Sequence, residues 1–68
     1  MANYYVNKNA QTTGEHEVHK DGCPTPPLPF HRQPLGSFPS CRPAVVEARR
    51  YFGNVDGCAN CSPECHKR

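Results

Sequence analysis

A small α+β fold is what the sequence predicts, and three observations carry it. There is a pair of short β-type segments near the amino terminus, a single amphipathic stripe between residues 41 and 52, and a Cys/His pair toward each end of the chain. At 68 residues the whole chain, 1–68, is expected to form one domain, and a chain of that size buries only about 60% of the surface it exposes when unfolded. Hydrophobic residues make up 35% of it, Trp is absent, and eight prolines break the pattern. Apolar burial alone does not offset the ordering entropy, so disulfides, a metal or a partner must supplement it.

Tyr4, Tyr5 and Val6 have strand-forming side chains, and residues 7–14 are polar and end in glycine, so a first short strand leads into a turn. The return segment, Glu15 to His19, alternates in character, which places His16 and Val18 on one face of a hairpin and His19 on the other. Five prolines between residues 24 and 34 fix φ and remove backbone donors, excluding a helix or central strand and predicting an extended surface loop. Its Pro-x-x-Pro spacings, Pro24/Pro27 and Pro26/Pro29, also suit an SH3-type groove, against the plainer role of a stiff cover. Residues 35–38 add a third, edge strand, so the expected sheet is antiparallel with two or three strands.

The main helix is predicted over residues 41–52, with Ser40 as N-cap, Pro43 in the first turn and Gly53 as the stop. Cys41, Val45, Ala48 and Phe52 form its apolar stripe, while Arg42, Arg49 and Arg50 fall toward the opposite side. A turn through residues 54–57 then leads to a C-terminal Cys-x2-Cys knuckle. Residues 62–68 form a terminal helical turn, begun by Ser62, Pro63 and Glu64, and a basic tail.

Five cysteines cannot all pair within one chain, which favours metal over a complete disulfide framework. The amino-terminal residues carry no basic segment followed by an apolar run, and no stretch approaches a membrane span, so a cytoplasmic location with reduced thiols is expected. Cys58-x2-Cys61, introduced by Gly57, aims two sulfurs at one tetrahedral ion, and His19-x3-Cys23 supplies the other pair. Together His19, Cys23, Cys58 and Cys61 make a Cys3His set suited to structural Zn2+, since thiolates are soft ligands and Mg2+ or Ca2+ would require carboxylates. Four protein ligands leave no open position for catalysis, so the protein is not expected to be an enzyme. Cys65, His66 or His16 are alternative ligands, and His31 is expected to be a solvated loop residue. A thiol-based redox or reactive-cysteine role, through Cys58/Cys61 or Cys41/Cys65, is the competing function. Cys41 and Cys65 are read foremost as two small buried residues, and otherwise as a second bridge.

The formal charge is +2, falling to about +1 when one Zn2+ and three thiolates are counted. That is low for a nucleic-acid binder. Arg42, Arg49, Arg50, Lys67 and Arg68 are nevertheless the candidate phosphate contacts of an interaction module for nucleic acid or protein, against the simpler role of a solvated helix face.

The order of parts, a short strand pair, His19-x3-Cys23, a further strand, Phe38-x-Ser40 leading into a helix with Ala44 in its first turn, then Cys58-x2-Cys61, resembles the Ada amino-terminal zinc domain and its stand-alone relatives. The likeness runs from about Tyr4 to Cys61, and the tail departs from it. In that family the first ligand is a cysteine that accepts a methyl group from a DNA phosphotriester. Here that position is His19. The resemblance implies zinc at His19, Cys23, Cys58 and Cys61 and does not carry over the methyl-transfer role, because an imidazole is not a metal-activated sulfur nucleophile.

Overall fold

The computed structural model describes residues 1–24 and 26–67, so the Arg68 end of the expected basic tail lies outside the described residues. Strand β1 (Ala2–Asn7) pairs antiparallel with β2 (His16–Lys20), opposing Tyr5 to His19 and Val6 to Val18. On its other side β1 pairs antiparallel with β3 (Arg32–Phe38). Helix α1 (Cys41–Ala48) follows, and β4 (Val55–Gly57) then joins β2 in parallel. The result is a mixed four-stranded sheet in the order β3-β1-β2-β4.

This corrects the expected antiparallel sheet of two or three strands. Residues 54–57 have the composition of a turn, and three of them instead complete a sheet edge whose partner, β2, is supplied from the far end of the chain. The proline segment is also shorter than expected: a 3-10 turn takes Pro29–His31, and β3 begins at Arg32 and includes Pro34. Proline is tolerated there because β3 is an edge strand. The β1–β3 register shifts between Tyr4 and Tyr5, which oppose Gly36 and Pro34, so Leu35 is the extra residue of a bulge. Gly36 sits beside it with φ of 117°, a conformation that favours glycine.

Helix α1 ends at Ala48, four residues before the predicted Phe52, and a turn carries the chain onward. Ser40 holds the N-cap position in extended geometry without a side-chain cap hydrogen bond. The stripe works as expected up to that point, since Cys41, Ala44, Val45 and Ala48 are all buried. They pack on Tyr4, Val6, Val18 and Leu35, with Phe38, Phe52 and Val55 at the margin.

Alternation divides the sheet into two working faces. Tyr4, Val6 and Val18 join the core under α1, whereas Tyr5 and His19 belong to the opposite face and are still 7% and 1% exposed. A second layer must therefore cover that side, and the cysteine loops form it. Cys41 and Cys65 are joined by a disulfide, with Cα atoms 6.3 Å apart. Two separate buried thiols were the first expectation and a bridge the second; the packing of α1 against the terminal 3-10 turn Pro63–Cys65 brings the pair together as a bridge, which corrects the expectation that all the thiols are reduced. No described helix is long and apolar enough to cross a membrane.

Candidate metal centre

The two halves of the centre meet because of strand register. Val18 of β2 stands opposite Gly57 of parallel β4, so the next residues, His19 and Cys58, emerge side by side. The Cys58 amide clamps this arrangement by donating to the Val18 carbonyl at 2.9 Å. After His19 the chain turns sharply at Gly22, where φ is 89°, and the Cys23 amide donates back to the Lys20 carbonyl at 3.1 Å. That turn brings the second member of the His-x3-Cys pair back beside the first. On the other arm, the Ser62 amide donates to the Cys58 carbonyl at 2.8 Å, closing the loop that carries Cys61, and the Lys20 amide donates to Cys61 Sγ at 3.3 Å.

Gly57 is required for this closure. A Cβ there would lie 2.6 Å from Cys65 Cβ and 2.7 Å from the Ser62 carbonyl oxygen, so β4 and the terminal turn could not approach as they do.

His19, Cys23, Cys58 and Cys61 thus offer four ligand atoms within 4.8 Å of one another and are positioned to bind a metal ion. Cys23 Sγ and Cys58 Sγ are 3.8 Å apart, and Cys61 Sγ is 3.7 Å from His19 Nδ1. Two sulfurs each about 2.3 Å from one tetrahedral ion stand about 3.8 Å apart, and a sulfur and an imidazole nitrogen about 3.5 Å apart. These two edges match that spacing.

Burial holds donors of the cluster in their neutral forms. Burial, with a contribution from the positive charge of Arg32, lowers the His19 pKa to about 4, so the imidazole is neutral and free to ligate at pH 7. Burial first, then hydrogen bonding with Cys23, pushes the Cys61 thiol up to about 12. A divalent cation reverses that penalty, because metal-bound thiols lose their protons. Among the described residues the buried His19 Nε2 has no hydrogen-bond partner, and the carboxylate oxygen Glu17 Oε1 lies 3.6 Å from it, on the same side of β2. Tyr5 stacks on the His19 ring at 5.5 Å, and the Arg32 guanidinium lies 4.8 Å from the centre of the Tyr5 ring.

The structure keeps the alternative ligands elsewhere. His16 stacks on Phe52 at 3.8 Å and its Nδ1 meets the Asn7 carbonyl at 2.8 Å. His66 Nδ1 contacts the Gly57 carbonyl at 3.1 Å and Asp56 Oδ2 at 3.3 Å, and Cys65 is in the disulfide. Of the residues advanced as phosphate contacts, Arg42, Arg49, Arg50 and Lys67 are exposed, and Arg50 pairs with Glu47 at 3.2 Å. Tyr5, Glu17 and Arg32 were not singled out from the sequence. The alternation of β2 already put Glu17 beside His19, whereas Tyr5 and Arg32 needed the pairing of β1 with β2 and β3. No family model, curated protein or solved structure matches the chain.

Proposed function

We propose that this chain is a noncatalytic zinc-binding module, in which one structural Zn2+ held by His19, Cys23, Cys58 and Cys61 joins the two ends of the domain and fixes a surface for interaction. The observation that carries it is the cluster of four donors with near-tetrahedral edges of 3.8 and 3.7 Å. Zinc suits three thiolates and an imidazole better than the harder cations do, and a ligand shell closed by four side chains supplies no position for an activated water. The order of ligands supports kinship with Ada-type zinc domains. His19 in place of the methyl-accepting cysteine removes the nucleophile of that repair reaction, so the resemblance is to the zinc scaffold alone.

Thiol chemistry is the poorer account. A redox dithiol at Cys58/Cys61 needs a low-pKa thiolate, and Cys61 is shifted the other way. Cys41 and Cys65 are buried and bridged.

The test is metal content by mass spectrometry of protein purified without added zinc. One zinc per chain is expected, lost in Cys23→Ser and in Cys58→Ser, with Cys58 and Cys61 protected from alkylation in the native protein. Metal-free, alkylatable Cys58 and Cys61 in a folded protein would reject the module.

A further inference from the structure

The outer side of α1 and the terminal 3-10 turn together form an open groove of about 230 Å3 that shares no residue with the metal centre. Arg42, Val45, Val46 and Arg49 line one wall, and Glu64, Cys65 and Lys67 line the other. The helical residues stand at steps of three, one and three, a single stripe in which two arginines seven residues apart, about 10 Å along the axis, flank two valines. Val46 is 61% exposed. Among the described residues, Arg42, Arg49 and Lys67 enter no salt bridge, whereas Arg50, outside the groove, is paired with Glu47.

We propose that this groove docks an acidic peptide segment of a partner protein, one that places an apolar side chain on the exposed Val46, beside the rim of the buried Val45, between two carboxylates. Among the described residues, three cations against one acid set the charge preference of the lining. Extended chain advances about 3.3 Å per residue with side chains on alternate sides, so carboxylates four residues apart, with the apolar residue midway, share one face and stand about 13 Å apart, within reach of the long Arg42 and Arg49 side chains. The volume falls below the ~300 Å3 at which small-molecule pockets begin, and suits one or two peptide side chains.

Nucleic acid fits the same groove less well. Among the described residues no aromatic side chain lines it for base stacking, its floor is apolar, Glu64 would face the phosphates, and the chain's net charge is only +2. The proposal rests on the module described above only in requiring the folded domain.

Zinc-loaded full-length chain is used to select from a display library of short random peptides, and a labelled peptide from the enriched set is then titrated. Enriched sequences are expected to carry two acidic residues flanking an apolar one. Arg42→Gln combined with Arg49→Gln is expected to weaken the labelled peptide about tenfold or more, the scale of losing two charge-assisted contacts. Val46→Asp is expected to abolish binding, and both variants should keep wild-type zinc content and unfolding temperature. Enrichment without acidic residues, affinity unchanged in the arginine variant, or no enrichment by a chain that is folded and holds zinc overturns the inference alone. Single-stranded DNA bound through the same arginines with steep salt dependence would also overturn it, in favour of a nucleic-acid face. Loss of zinc in the wild-type chain would instead count against the module.

Discussion

The His19 imidazole illustrates how one side chain answers to two neighbours. Its Nδ1 faces the Cys61 sulfur and its Nε2 lies 3.6 Å from the Glu17 carboxylate. Metal-bound imidazoles characteristically give their second N–H to such a group, which fixes the ring and strengthens the ligand. Glu17→Ala is accordingly expected to weaken zinc binding about tenfold without changing the fold, measured by competition with a chelating dye. The pH response follows from the same residue. Unfolded, His19 takes up its proton near the ordinary 6.5; folded, it resists protonation until about 4. The unfolded chain therefore binds the proton first as pH falls, so the contribution of His19 to stability, complete above 6.5, is lost progressively as pH drops through that interval. A cation competing for the same nitrogen moves the lower limit further down. Circular dichroism and zinc release followed together across the interval check this. Spacing put His19 and Cys23 forward as ligands but left His16, His66 and Cys65 open as replacements, and the fold is what gathers His19 and Cys23 with Cys58 and Cys61. Arg32 and Tyr5 were not put forward, because their place beside His19 is set by pairing between β1, β2 and β3, which local pattern does not record.

At the scale of elements, β4 and the terminal turn do what the sequence did not announce. Three residues, Val55, Asp56 and Gly57, give too short a run to reveal a strand, and the residue types resemble a turn. Yet their parallel register with β2 brings Cys58 to His19. Gly57 stands at the crossing, and Gly57→Ala is expected to cost about 1–3 kcal/mol in urea unfolding, from overpacking against Cys65 and Ser62, together with weakened zinc binding. The disulfide is the other link between α1 and this turn. Cys41 and Cys65 are 24 residues apart, and a loop of that length is worth about 3 kcal/mol through the unfolded chain. Cys41→Ala with Cys65→Ala should lose about that much stability and keep the zinc. The helix stripe was visible in its first two turns, from Cys41 to Ala48, where apolar spacing and burial coincide. Its end was misplaced because Phe52, which continues the periodicity, instead packs on His16 after the chain has left the helix.

For the whole molecule, the decisive feature is that a sheet of four short strands carries a working layer on each face. One is α1 over Tyr4, Val6 and Val18. The other is the cysteine cluster over Tyr5 and His19. The five cysteines divide between two links, two in the bridge and three in the cluster, which resolves an odd count that no complete disulfide framework could satisfy. The α+β class and the four metal-ligating candidates were readable from residue types and spacing. The mixed topology was not, because it depends on contacts between chain segments about forty residues apart, such as Val18 with Gly57. A core of so few large apolar side chains gives the second layer little support of its own, so the proposed ion is expected to hold it. The most direct test is near-UV circular dichroism with metal analysis during exhaustive chelation in reducing buffer. One zinc should leave per chain as fixed tertiary structure is lost, and both should return when zinc is restored. A chain that stays cooperatively folded with no metal bound would contradict the account.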